Sequence, residues 1–283
     1  MLKFAVSFIL MCTSFDSYSQ DQALLFEISG KELRFPSYAF GTFHMLCESD
    51  FVLSDSIKSK LQATEQLVLE LDMDDPKMMG AMMAGIKMKN GTVLKDLYSK
   101  SDYDILEKYF VDSLNLSLNS MASFKPFLLY SLIIPQLLDC SVVAFELELM
   151  KIAKMQSKEV FGLETFEFQM GIFDSIPYKK QAEYLLENIR DSKASRKEMQ
   201  NLFKMYLSQD ISGLANLIAK SDQMFKDFED ILLTKRNIDW ISKIKDFSKT
   251  KSTFFAVGAG HLSGTNGILQ LLKNEGYTIK AIE

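Results

Sequence analysis

Histidine is nearly absent: the 283 residues hold only two, beside one tryptophan, three cysteines and five prolines. Any chemistry that needs an imidazole is therefore confined to His44 and His261. Three cysteines, one of them Cys12 in the N-terminal segment, exclude a disulfide scaffold. Cys47 and Cys140 permit one disulfide in an oxidising compartment, and nothing in the sequence decides whether it forms. No apolar run is long enough to cross a bilayer: the longest, Phe127 to Leu138, is broken by Pro135 and Gln136. Lysine and arginine nowhere cluster with aromatics, and 37 acidic against 32 basic residues give a net charge of -5 and a pI near 5.3. That balance argues against nucleic acid as the main partner. With 47% apolar residues and no low-complexity segment, the chain has enough apolar surface for a sizeable core.

The N-terminal segment differs from the rest. Lys3, the apolar stretch Phe4 to Met11 and the small residues Ser17 and Ser19 before Gln20 read as an export signal over residues 1–19. The remaining chain, 20–283, is expected to be one domain, periplasmic or extracellular. Lipidation at Cys12 is not expected, because Met11 is large where a lipid-attachment signal has a small residue. Loss of the signal removes Lys3 and Asp16, so the net charge is unchanged.

Both histidines stand in one pattern: Gly41-Thr42-Phe43-His44 and Gly258-Ala259-Gly260-His261. Each follows an apolar run of strand character, Tyr38 to Phe40 and Thr253 to Val257, so each imidazole is expected just past a strand end, where open α/β sheets bind ligands. Glycine is expected there to let the chain turn tightly. A third element is Leu67 to Asp72, an apolar strand that ends in acid. Glu70 and Asp72 share a strand face by period, and a buried acid costs free energy unless it is paired or bound to a cation. The alternative role for Glu70 is an N-terminal cap or a salt bridge to Arg236. A His44-x-x-Cys47 metal pair has no second cysteine-rich segment to complete it.

Leu24 to Ile28 and Glu32 to Phe35 flank Ser29-Gly30-Lys31 and read as a hairpin, and Ser54 can cap a helix through Ala63. Asp75-Pro76 opens a helix carrying Met78, Met79, Met82, Met83 and Met88. It reads as an adaptable packing face or a peptide-binding lid rather than a soft-metal site. From there to Phe247 the pattern is helical except at Glu159 to Thr165, which reads as a short strand ending at Glu164. A strand over Thr253 to Val257, a helix from Asn266 and a strand from Tyr277 to Ile282 close the chain. The expected class is α/β (α+β): a central mixed sheet built from both ends of the chain, with a helical insertion over about 75–247.

These motifs together resemble the TraB/GumN family, related to the Tiki metalloproteases and more distantly to the erythromycin-esterase and ChaN-like proteins. The resemblance rests on Gly41 to His44, Glu70-Leu71-Asp72, Lys125-Pro126, Gly162 to Thr165, Arg236-Asn237 and Val257 to Leu262 with Gly264 and Gly267. It implies a hydrolytic site with His44, His261 and Glu70 as ligands of one divalent cation (Zn, Mn or Co) and peptide bonds as the substrate class. Arg236 and Asn237 are implied at its edge as contacts for an anion or carbonyl. Glu164, Asp72, Gly41 and Gly258 are supporting candidates, and Phe145-Glu146 departs from the family pattern, where relatives carry an Asp. A metal-free esterase using a histidine base, a protein that sequesters a peptide, haem or metal without turnover, and an interaction scaffold remain the competing readings.

Overall fold

Leu67, Val68 and Leu69 are wholly buried, as expected of a strand covered on both faces. In the computed structural model, which describes residues 22–221 and 223–282, they lie near the middle of a six-stranded mixed sheet. The strands are β1 (Leu25–Ser29), β2 (Ser37–Thr42), β3 (Leu46–Cys47), β4 (Gln66–Leu71), β5 (Val142–Val143), β6 (Glu159–Glu164), β7 (Thr253–Gly258) and β8 (Thr278–Ile282). The main sheet runs β6-β4-β7-β2-β1-β8, and β3 pairs only with β5. Neighbours among β6, β4, β7 and β2 are parallel, whereas β1 is antiparallel to both β2 and β8. The export signal expected over residues 1–19 lies outside the described residues.

Alternate strand residues serve different cores. Leu67, Leu69, Phe40 and Phe254 face the helices Asp55–Ala63, Phe145–Met155 and Ser192–Leu207. Val68, Phe255 and Val257 face Trp240, Ile241 and Ile244 of the helix Lys235–Thr250 and Leu269 and Leu272 of the helix Ile268–Asn274. The result is a helix-sheet-helix sandwich. A third core, from Leu94 and Leu106 through Leu129 and Ile133 to Leu185, belongs to the helical insertion alone.

The Ser54 hydroxyl accepts from Ile57 N at 3.2 Å, and Ile57 and Leu61 are the buried residues of the helix it caps, as expected. Gly276 takes φ +91° at the end of the last helix, where a β-carbon would be strained. The expected hairpin is different. Glu32 to Phe35 form no strand, and β1 pairs with β2 instead, Leu25 opposite Phe40. Charged Glu32 and Arg34 alternate with Leu33 and a half-exposed Phe35, whereas Tyr38, Ala39 and Phe40 are all buried, so the more apolar segment takes the place in the sheet. The sheet is also not built from the chain ends alone, because the insertion returns β6 to its edge.

Candidate functional site

Four adjacent parallel strands end at one edge of the sheet, and each delivers a candidate residue there. Glu164 ends β6, Glu70 is next to last in β4, His261 lies just past β7 and His44 just past β2. Because β2 and β7 pair in parallel with Thr42 opposite Gly258, the two Gly-x-x-His motifs are spatial neighbours. Around the position that a β-carbon on Gly258 would take, Glu70 Oε1 lies at 3.3 Å, His44 Nε2 at 3.5 Å and His261 Cδ2 at 3.7 Å. Residues far apart in sequence thus meet at one point.

The helix Lys235–Thr250 supplies the far wall. Its buried stripe, Arg236, Asn237, Trp240, Ile241 and Ile244, follows the helical period, so the apolar packing that seats Trp240 also turns Arg236 and Asn237 toward the strand ends. Five residues of π-helix, Asp230–Thr234, precede it, and Leu232 O accepts from Arg236 Nη1 at 2.9 Å. Asn237 Nδ2 donates to Asn266 O at 2.8 Å, which leaves Oδ1 facing His261 Nδ1 at 2.6 Å. An amide oxygen only accepts, so His261 carries its proton on Nδ1 and its Nε2 holds a lone pair. That lone pair accepts from Arg236 Nη1 at 3.2 Å. Burial first, with the Arg236 charge adding to it, lowers the His261 pKa to about 3 against the pull of Glu70. The ring is neutral and packs on Trp240, centroids 4.4 Å apart.

Arg236 is the hub of the network. Its Nε and Nη2 bond Glu164 at 2.9–3.2 Å, Nη2 also bonds Glu70 Oε2 at 2.7 Å, and its guanidinium lies 4.8 Å from the Trp240 ring centre. Glu70 receives further hydrogen bonds, from Gly258 N to Oε1 at 2.8 Å and from Gln169 Nε2 to Oε2 at 3.2 Å. Burial alone would raise the Glu70 pKa, but the His261, Arg236 and His44 side chains and the Gly258 N–H outweigh it and hold the carboxyl well below the usual range. With His261 neutral, Arg236, His44 and the Gly258 N–H are the groups that keep Glu70 ionised.

His44 stands at the mouth of the site with 63% of its side-chain surface open. Its Nδ1 donates to Glu146 Oε1 at 2.9 Å, and the same oxygen accepts from the Thr42 hydroxyl at 2.7 Å. Surrounding protein disfavours the imidazolium, yet the Glu146 hydrogen bond and the charges of Glu146 and Glu70 prevail and push the pKa up to about 9. The contact is built by distant segments. Cys47, three residues after His44, is disulfide-bonded to Cys140, and Leu46 and Cys47 of β3 pair with Val143 and Val142 of β5, which leads into Glu146.

Several expectations change. Arg236 and Asn237 do not lie at the edge as free contacts for substrate: every polar group of their side chains bonds within the network, because the helix stripe carries them into the core. Asp72 lies one residue past the end of β4, and its Oδ1 is buried with no hydrogen-bond partner among the described residues. Gly41 and Gly258 are not needed for a left-handed turn. A β-carbon on Gly41 would stand 2.8 Å from Leu262 Cδ1, and one on Gly258 would fill the point where the three side chains meet, so space is what both positions require. Glu146, where the chain departs from the family pattern, is the partner of His44.

The comparison with family models matches residues 24–281 to the TraB/PrgY/gumN family. The chain belongs to the TraB/PrgY/gumN family. Comparison with the curated proteins and with the solved structures gives no match. For a TraB/PrgY/gumN chain that is read as metal-dependent, the donors themselves can be tested. Both imidazoles have Nδ1 anchored, to Glu146 and to Asn237, and so present Nε2, which is how ligand histidines are normally oriented. Glu70 Oε1 lies 3.8 Å from His261 Nε2, a spacing that two ligands of one cation at about 2 Å each can have. The donor types therefore fit a divalent cation. The side chains do not yet enclose one: no group of three or more His, Cys, Asp or Glu among the described residues is positioned to hold a metal ion, and Arg236 Nη1 occupies the His261 lone pair.

Proposed function

We propose that this protein is a hydrolase of carbonyl compounds, with peptides as the substrate class, and that His44, His261 and Glu70 bind one divalent cation, Zn, Mn or Co. The observation that carries the reading is the convergence of these three side chains on the space kept open by Gly258, with each imidazole fixed through Nδ1. Peptides rest on the family resemblance alone. When bound, the cation would lower the pKa of a water molecule and polarise a substrate carbonyl.

The chain's own residues have separable tasks. Glu146 and Asn237 hold the two rings with their Nε2 atoms presented, and Gly258 N–H and Arg236 fix the Glu70 carboxylate. Glu164 offsets the Arg236 charge, so that removing water from the guanidinium is compensated. His44 is the exposed member, where substrate would arrive. A metal-free mechanism with a histidine base is less well supported. His261 Nε2 is occupied by Arg236, and the Glu146 carboxylate favours the charged form of His44 over the free base, a proton that a bound cation would displace.

A second reading has one specific observation in its favour. If Arg236 keeps its bond to His261 Nε2, the buried network is structural and the protein binds its ligand without turnover. We place either activity outside the cytoplasm, supported by the signal-like residues 1–19 and by the Cys47–Cys140 disulfide.

The test is hydrolysis of a fluorogenic peptide library by residues 20–283, loaded with each metal or treated with a chelator. Cleavage that chelation abolishes, and that His44→Ala, His261→Ala and Glu70→Ala remove without unfolding, is expected. No cleavage by protein shown to carry metal would contradict the hydrolase reading and leave the binding protein.

A further inference from the structure

One cavity lies beside the network rather than over His44. It is an open groove of about 850 Å³ along β6, whose residues Phe161 to Glu164 line it in succession and continue into Thr165. β6 is the edge strand of the main sheet, pairing with β4 on one side and with no strand on the other among the described residues. A free strand edge offers main-chain donors and acceptors to any extended chain laid beside it. Here the edge is shielded by a lysine: Lys243 Nζ donates to Leu163 O.

The opposite wall suits an adaptable guest. It includes Met78 and Ala81 of the helix Met78–Gly85, which has no buried residue of its own. Methionine side chains conform to varied apolar partners at low cost. Phe161 and Phe247 add apolar surface, while Asp75, Glu167 and Asp246 make the rim acidic. The groove passes Glu164, whose carboxylate binds Arg236, so a chain lying along β6 would run by the strand ends that carry Glu70 and His261.

We propose that this groove binds an extended, basic polypeptide segment by strand addition to β6, with lysine or arginine side chains against Asp75, Glu167 and Asp246. The inference rests on the hydrolase reading only in making that polypeptide the substrate. A strand added outside β6 lies three strand spacings, roughly 14 Å, from β7, the length of about four extended residues. The basic residue is therefore placed about four positions from the bond that reaches the site.

The test is fluorescence anisotropy with a labelled twelve-residue peptide of alternating Lys and Leu. Its controls are the same peptide with Glu for Lys, and the same peptide N-methylated at alternate amides. Binding is measured without added metal to the intact mature protein and to the double variant Asp75→Asn/Asp246→Asn, each shown to be folded by circular dichroism. The lysine peptide is expected to bind the double variant about tenfold more weakly than the parent, or worse. N-methylation should weaken it comparably, because it removes the donors that pair with a strand edge. Equal binding of the Lys and Glu peptides, indifference to N-methylation, an unaffected double variant or no binding at all would each overturn the proposal. Because no turnover is read, binding that survives in an inactive protein would sink the hydrolase reading and keep the groove. Cleavage of peptides without preference for basic residues would do the reverse.

Discussion

Asn237 Oδ1 lies 2.6 Å from His261 Nδ1, while Nδ2 of the same amide donates to Asn266 O at 2.8 Å, so one side chain dictates which ring nitrogen of His261 carries the proton. In Asn237→Ala the ring loses that constraint. Metal affinity should fall by roughly 10–100-fold with the fold retained. Nitrogen-resolved NMR of the histidines should show a single Nδ1–H form of His261 in the parent and a mixture in the variant. A mixture in the parent would contradict the assignment.

Arg236 holds Glu70 and Glu164 together beneath the site and is only 9% exposed. Replacing it by Met leaves two buried carboxylates without their cation. Urea denaturation of Arg236→Met should show a loss of roughly 3–5 kcal/mol, relieved in part by adding Glu164→Gln. A neutral result would mean that the network is far more hydrated than its burial implies.

The Cys47–Cys140 disulfide closes a sequence separation of 93 residues and clamps the segments that deliver His44 and Glu146. Cys47→Ser/Cys140→Ser should lose about 2–4 kcal/mol of stability. The same variant should lose activity at temperatures where it is still folded, because His44 is no longer held to Glu146. Glu146→Gln should reproduce the activity loss with the disulfide intact, and full activity in both variants would remove the clamp from the account.

Acid sensitivity has a separate source in the insertion. Burial alone would raise the Asp174 pKa, but hydrogen bonds from Tyr178, Lys125 and Lys89 and the charge of the buried Lys125 hold it below the usual aspartate range. A depressed folded-state pKa contributes stability above the unfolded value and loses it as pH falls through the folded one. Stability should therefore decline below about pH 4. The difference between pH 6 and pH 3, read by chemical denaturation, should be smaller in Asp174→Asn, and an unchanged difference would show that Asp174 does not carry it.

The two Gly-x-x-His motifs and Glu70 were legible because each breaks its context: the only two histidines recur in one local pattern, and an acid interrupts an apolar strand. That they meet was an inference from strand ends, and the parallel pairing of β2 with β7 supplies the physical reason. The start of one helix followed from the Ser54 cap, whose hydroxyl accepts from Ile57 N; Thr165, whose hydroxyl accepts from Phe168 N, is a cap inside a stretch whose sequence reads as a strand and turn. Glu146 was not legible. It sits in the first turn of an amphipathic helix, where an acid looks like an ordinary surface residue, and its contact with His44 depends on the nonlocal β3–β5 pairing and the disulfide. Arg236 at the site's edge, as a contact for an anion or carbonyl, is what the family resemblance implies, and its burial has no local signal. Three adjacent partners, Glu70, Glu164 and His261, make its burial tolerable, and no local pattern announces such a set.

The central claim is that His44, His261 and Glu70 form one cation-binding centre, and elemental mass spectrometry tests it most directly. Residues 20–283 would be measured after incubation with Zn, Mn or Co and removal of excess metal, beside His44→Ala, His261→Ala and Glu70→Ala, each shown to be folded. The account predicts about one equivalent of metal in the parent and its loss in all three variants. No retained metal in the parent, or an equivalent that survives in any one of the three, would contradict it.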